Sequence, residues 1–188
     1  TRLDITRNQR IVNIQVPNLT STGNINISQN QTLASIQFPN LTNANNIVIG
    51  GWSNINLDLQ YILFPSLLSV NELQIKTNTY IEDIQFNSLK NTSYLYISGP
   101  SGATLQSLSF NQLTNVTNSL SVSHHSITAL NLPNLITVGN LSVYGDQINT
   151  INLNSLQETR THNGSEEELY DISFYAPLTN ISLPSLTN

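Results

Sequence analysis

Apolar and polar residues alternate in two kinds of short run, and this pair of runs returns at a nearly regular interval along the chain. In the first run the leading apolar position is occupied by Ile5, Ile27, Ile49, Ile75, Ile97, Val122, Val143 and Ile172. The second run has three spaced apolar residues, then Pro or Asn, a variable residue and Leu, as in Leu33, Ile36, Phe38, Pro39 and Leu41. Alternation with period two, rich in Ile, Val and Phe, predicts strands with one buried face.

The two runs define eight repeat units of 21–29 residues, which start near residues 3, 25, 47, 73, 95, 120, 141 and 170. One unit cannot bury its apolar face alone, but stacked units form a continuous core. Since no window carries a sustained helical period bounded by caps, we expect little or no helix. The sequence therefore predicts one all-β domain over residues 1–188, a right-handed parallel β-solenoid of about eight coils that is leucine-rich-repeat-like.

One repeat position is aromatic in four consecutive units, where it is occupied by Phe38, Phe64, Phe86 and Phe110. Equivalent positions in neighbouring coils lie one strand spacing apart, about 4.8 Å. We therefore expect the four rings to stack as a ladder inside the solenoid.

The segment "LPNLITVGNLSVYGDQINTINLNSLQ", residues 132–157, resembles the repeat of the receptor L-domain β-helix. Among proteins with that repeat, it is most similar to the fungal GPI-anchored cell-wall organisation proteins, and the likeness extends over nearly the whole chain. The resemblance implies a secreted, N-glycosylated surface protein without catalytic activity. The family's cysteines, anchor signal and Ser/Thr-rich stalk do not occur within these 188 residues.

Charged residues make up only 9% of the chain, and the net charge is −5. A typical soluble protein has about a quarter charged residues, so this surface must be solvated by amides, hydroxyls or groups attached to them. The acidic balance argues against a nucleic-acid partner. The absence of Cys excludes disulfides, a thiolate nucleophile and Cys-ligated zinc. No apolar stretch is long enough to predict a transmembrane segment, and because the chain starts at Thr1 we expect a processed or excised segment.

Nine Asn-x-Ser/Thr sequons occur in a chain that contains 28 Asn residues, so some of them could arise from composition alone. We expect several to carry N-glycans, because a charge-poor surface needs another source of solubility and the corners after Pro should be exposed. The candidate glycosylation sites are Asn18, Asn26, Asn30, Asn40, Asn91, Asn115, Asn140, Asn163 and Asn180.

The residues that could hold a metal or a ligand do not form a recognisable site in the sequence. His124 and His125 are assigned to a solvated turn, since His162 is the only other histidine. The acidic run at residues 165–168 lacks the aspartate pattern of a calcium loop. Trp52 either packs over its own coil or stacks on a sugar or a neighbouring subunit. We predict no metal and no cofactor.

Catalysis is also not expected, although some parallel β-helices are enzymes. Asp58, Asp83 and Asp146 fall at different points of their repeats, and the chain has only six basic residues to accompany them. The sequence therefore predicts no catalytic residues.

Two functions from different classes remain. The first is a structural one: a glycosylated extracellular or cell-surface protein whose copies join head to tail into a fibre or surface layer. The second is a cell-wall or receptor ectodomain module that binds glycan or protein through one solenoid face.

The head-to-tail prediction rests on repeat units that reach both ends of the chain without polar caps. Opposite charges near the two ends would fix the polarity of the joint, and the alternative is that the chain is part of a longer array. The predicted self-assembly residues are Arg2, Arg7, Arg10, Glu166, Glu167, Glu168 and Asp171.

Overall fold

The computed structural model of the protein describes residues 1–50, 56, 58–77, 80–159 and 171–187. These residues form seventeen strands and no helix, as the sequence predicts; accordingly, none of the described segments is a helix able to cross a membrane. Trp52, His162, Asn163 and the three glutamates at 166–168 lie outside the described residues.

The first run of each repeat forms a strand of one nine-stranded parallel sheet, the main sheet. Along this sheet each strand pairs with its equivalent in the next coil, in the order β1-β3-β5-β7-β9-β11-β13-β15, and β16 also pairs with β13. The strands are β1 (Arg2–Thr6), β3 (Ser21–Ser28), β5 (Asn43–Ile49), β7 (Ser69–Lys76), β9 (Asn91–Gly99), β11 (Asn115–His124), β13 (Thr137–Tyr144), β15 (Glu158–Thr159) and β16 (Ile172–Tyr175).

The second run forms much shorter strands, which end at the Pro or Asn corner because Pro cannot donate to a sheet ladder. They make two four-stranded parallel sheets, ordered β2-β4-β6-β8 and β10-β12-β14-β17. Their bounds are β2 (Asn13–Gln15), β4 (Ser35–Gln37), β6 (Tyr61–Leu63), β8 (Asp83–Gln85), β10 (Ser107–Ser109), β12 (Ala129–Asn131), β14 (Thr150–Asn152) and β17 (Asn180–Ser182). The two smaller sheets are separate because β8 and β10 do not pair. Residues 99–103, a short insertion in the fifth coil, lie between these two strands in the chain.

The predicted strand register is confirmed along most of the main sheet. Ile5 pairs with Ile27, Ile27 with Ile49, and the matched positions continue to Val143. The last coil differs, because Ile172 pairs with Leu141 while Phe174 pairs with Val143. The assignment of Ile172 as the equivalent of Val143 is therefore wrong by two residues. Residues two apart face the same side of a strand, so apolar alternation alone fits either register.

The described residues form about seven turns rather than the eight coils predicted. The last level of the main sheet is divided between two strands: β15 pairs with Thr137 and Val138 at the start of β13, and β16 pairs with Leu141–Tyr144 at its end. Residues 160–170, which connect the two, lie outside the described part.

A single apolar core fills the space between the main sheet and the shorter strands. The predicted phenylalanine ladder is confirmed: all four rings are buried, and the ring centroids of Phe38 and Phe64 lie 4.9 Å apart, those of Phe64 and Phe86 5.3 Å apart. Phe86 and Phe110 stack at 6.0 Å across the break between the two smaller sheets. The aromatic ladder thus connects coils whose backbone pairing is interrupted there.

Candidate functional site

The outer face of the main sheet is a regular polar surface, because its side chains alternate with those buried in the core. Its middle row runs across eight successive strands, from β1 to β13 and then β16, in a continuous register. From the first coil to the last it reads Asp4, Asn26, Val48, Gln74, Tyr96, Ser121, Ser142 and Ser173. The face therefore changes character along the solenoid, from amides through an aromatic centre to serines.

A groove of about 560 Å³ crosses this face over β7, β9 and β11. Long side chains, including Glu72, Gln74 and Tyr96, stand beside short ones such as Ser121 and Ser123, and this difference in height makes the depression. Burial raises the pKa of the Tyr96 hydroxyl above its usual value, and the adjacent Ser119 acts in the opposite direction. Tyr96 is accordingly half-buried although it stands on the outer face.

Two pairs of tyrosines stack on the outer face. Tyr96 lines the groove, and Tyr94, two residues earlier on β9 and opposite the groove residue Glu72, stacks on it with ring centroids 6.0 Å apart. Tyr144 and Tyr175 belong to neighbouring coils and stack at 4.6 Å with nearly parallel rings. Neither pair was predicted from the sequence. The feature that could have indicated them is a tyrosine at an outward-facing position of a predicted strand.

The corner that follows the first strands of the N-terminal coils contains a buried ladder of asparagine side chains. Asn30 is fully buried, and its Nδ2 donates to the Ile5 carbonyl at 2.8 Å. Its Oδ1 accepts from the Asn8 backbone N–H at 3.0 Å, and its own N–H donates to Oδ1 of Asn56 at 3.0 Å. The amides therefore satisfy backbone groups that the turn leaves outside the sheet ladder.

This burial removes Asn30 from the accessible glycosylation candidates. An N-glycan is attached at Nδ2, the atom that here donates to a carbonyl inside the protein. The other candidates that the structure describes are exposed or half-buried. Asn18, Asn40, Asn91, Asn140 and Asn180 are exposed, whereas Asn26 and Asn115 are half-buried. Asn40 uses its Nδ2 to donate to the Pro17 carbonyl at 2.7 Å.

His124 continues the buried polar series in a later coil, so its assignment to a solvated turn is wrong. Nε2 of His124 lies 3.2 Å from Oγ1 of Thr77, two coils away, and a Cβ on the intervening Gly99 would lie against both atoms. The glycine leaves the space through which the histidine reaches. Burial, with a smaller contribution from His125, lowers the pKa of His124 to about 4.

The hydrogen bonds around His124 specify one neutral tautomer. Nδ1 accepts from the Ser126 backbone N–H at 3.4 Å, so the proton must lie on Nε2, which donates to Thr77 Oγ1. The Thr77 hydroxyl in turn donates to the Ser98 carbonyl at 3.2 Å. A second proton on Nδ1 would face the Ser126 N–H, which adds to the cost of burying a charge. His125, in contrast, is only half-buried and pairs with Asp146 at 2.9 Å.

The carboxylates considered for catalysis are dispersed. Asp146 contacts His125 and Asp83 accepts from Gln85 at 2.6 Å, in coils that are not adjacent. Among the described residues no three His, Asp or Glu side chains gather closely enough to hold a metal ion.

The predicted self-assembly residues lie at the two ends of the solenoid as far as they are described. Arg2 pairs with Asp4 at 2.6 Å, and Nε of Arg7 donates to Gln29 at 2.9 Å. Arg10 is exposed. At the other end Asp171 is exposed, and its backbone contacts Asn140 and Leu141. Two of the three arginines thus already have partners within the chain.

Comparisons of the chain with protein-family models, curated proteins and solved structures find no match. The parallel β-solenoid that the L-domain resemblance implies is present in the structure, whereas the relation to receptor L-domains or fungal cell-wall proteins stays a resemblance.

Proposed function

We propose that the protein is a non-catalytic, N-glycosylated structural protein of the extracellular space or cell surface, and that its copies join head to tail. The observation that carries this proposal is the nature of the two ends. Among the described strands β1 pairs with β3 alone, and its own apolar side chains Leu3 and Ile5 are half-buried. At the other end β16 pairs with β13 alone among the described strands, and Phe174 in β16 and Leu178 after it are half-buried.

Each end has half-buried apolar side chains and an unpaired strand edge, and an added coil would cover both. The equivalent side chains inside the solenoid, Ile27 and Ile49, are fully buried, so a further coil at either end would remove apolar surface from water. Unpaired strand edges also readily accept another strand. Because the two ends are different surfaces, contact between copies does not close and propagates as a fibre. The proposed joint therefore depends on the unpaired backbone edge and not on the arginines, two of which already have partners within the chain.

A proline in the edge strand tests the joint. Thr1 and Arg7 bond towards β3 through their backbone, so the intervening even-numbered residues direct their backbone groups to the open edge. Asp4→Pro should remove an outward donor while keeping the bonds to β3. We expect wild-type protein to form rods visible by electron microscopy and sedimentation, and Asp4→Pro to shift it to monomers.

Asp4→Asn is the matched control, since it removes the charge and the pairing with Arg2 but keeps the N–H. It should still assemble. Wild-type protein that stays monomeric at high concentration would overturn the proposal. So would a native chain in which further coils continue covalently past these residues, because the ends would then be occupied by the same polypeptide.

We further expect N-glycans on exposed sequons, such as Asn18, Asn91 and Asn180, and none on Asn30. Enzymatic removal of N-glycans converts the occupied Asn to Asp, which peptide mass mapping of native material detects. A native intact mass of 20.8 kDa without carbohydrate would contradict the glycoprotein and extracellular assignments. Carbohydrate on Asn30 would contradict the buried asparagine corner.

A second function is favoured by the groove on the outer sheet face. A solenoid with such a groove could serve as a cell-wall or receptor ectodomain module that binds glycan or protein through that face. Binding of a ligand that survives Asp4→Pro would support this function independently of assembly.

A further inference from the structure

We propose that the groove over β7, β9 and β11 binds a neutral oligosaccharide, with the rings of Tyr94 and Tyr96 as the stacking platform. This inference rests on the second function above and specifies its ligand. It does not depend on head-to-tail assembly.

The aromatic pair is placed where a ligand can reach it. Tyr94 and Tyr96 both project from the outer face of β9, and 36% of Tyr94 is exposed to solvent. The C–H faces of a sugar ring are apolar and pack against an aromatic ring, while a tyrosine hydroxyl adds a hydrogen bond. A stacked pair of tyrosines on an otherwise hydrophilic sheet therefore suits a ligand that has both an apolar face and a hydroxylated rim.

The groups around the rings suit hydroxyls rather than charges. Gln74 supplies both amide donors and an amide acceptor, and Ser121 supplies a hydroxyl that can do either. Glu72 and Lys76 carry opposite charges on the same strand, so the groove has no excess of either sign. An anionic polymer would need clustered basic residues, which this groove lacks, and this favours an uncharged glycan.

The size and rigidity of the groove agree with a short stretch of sugar chain. Its volume of about 560 Å³ is within the range of ligand sites. It extends over two strand spacings, about 10 Å. All its side chains stand on paired strands of the main sheet, so little conformational freedom is lost when a ligand binds.

The test measures binding of cellohexaose, laminarihexaose and chitohexaose to the full chain by calorimetry. The protein is produced without glycans, so that its own carbohydrate cannot compete. We expect at least one of these oligosaccharides to bind, and Tyr94→Ala/Tyr96→Ala to raise its Kd by roughly tenfold or more. Tyr96→Phe, which keeps the ring, should change the Kd by only about threefold or less.

Tyr144→Ala/Tyr175→Ala is the matched control, because it removes the other stacked tyrosine pair from the same sheet face. It should leave the Kd unchanged, and circular dichroism should show all variants folded. The proposal is overturned if none of the three oligosaccharides binds at millimolar concentration. It is equally overturned if binding survives in Tyr94→Ala/Tyr96→Ala or is lost in the control pair. None of these outcomes bears on rod formation, so failure here is separate from failure of the structural role.

Discussion

Replacing Phe64 by alanine should lower the free energy of unfolding by about 3–5 kcal/mol. Phe64 is fully buried, and its ring stacks on Phe38 at 4.9 Å and on Phe86 at 5.3 Å. The substitution leaves a cavity in the middle of the ladder, and each neighbouring ring loses its contacts on one side. Chemical denaturation followed by circular dichroism measures the loss.

Two further variants separate ring stacking from general burial. Phe64→Leu keeps an apolar side chain at the site and should cost clearly less than Phe64→Ala. Val12→Ala removes methyl groups from a residue that is 51% exposed and should stay within about 0.5 kcal/mol of wild type. A Phe64→Ala protein as stable as wild type would mean that the coils are not stacked in this register.

The phenylalanine ladder was predictable because two independent sequence patterns, the repeat and the strand alternation, both indicate it. The repeat gives the coil to which each ring belongs, and strand alternation gives the face that is buried. Leu33, Ile36 and Leu41 were predicted in the same way and are fully buried. Most of the fold follows from this agreement, since equivalent positions of a solenoid can pair only with their neighbours.

In the last coil the repeat pattern is not sufficient to predict the strand register. Ile172 and Phe174 are both apolar and face the same side, so either could be aligned with Val143. Sequence alternation excludes a slip by one residue but permits a slip by two. Only the pairing of backbone groups in three dimensions selects between these registers.

The buried polar residues were not predictable from hydropathy. Asn30 belongs to a sequon and has a polar side chain, and both features suggested exposure. The corner instead contains backbone groups, such as the Ile5 carbonyl, that need a partner from a neighbouring coil. The outer-face groove was missed for a related reason: it depends on which outward residues become neighbours across coils, and Tyr96 and Ser121 are far apart in sequence.

The lowered pKa of His124 predicts that the free energy of unfolding depends on pH through this one side chain. In the unfolded chain a histidine has a pKa near 6.5, whereas burial lowers that of His124 to about 4 in the folded protein. The unfolded state therefore binds the proton more readily, and stability is lost as the pH falls. The stability that neutral His124 contributes is complete above about pH 6.5, decreases between pH 6.5 and about 4, and is absent below about pH 4. The total change in the free energy of unfolding is about 3 kcal/mol.

Comparison of variants isolates this effect from the carboxylates, which also titrate in acid. His124→Gln has no charge to gain, so its free energy of unfolding should fall less steeply than that of wild type between pH 7 and 4. His125→Gln alters the exposed pair with Asp146 and should keep a slope close to that of wild type, because its neighbour at 124 still titrates. The slope, rather than the stability at pH 7, is the decisive quantity, since glutamine cannot reproduce every contact that His124 makes with Thr77 and Ser126. Equal slopes for wild type and His124→Gln would show that the buried imidazole is not held neutral, and NMR titration of the ring would then find a pKa near 6.5 in the folded protein.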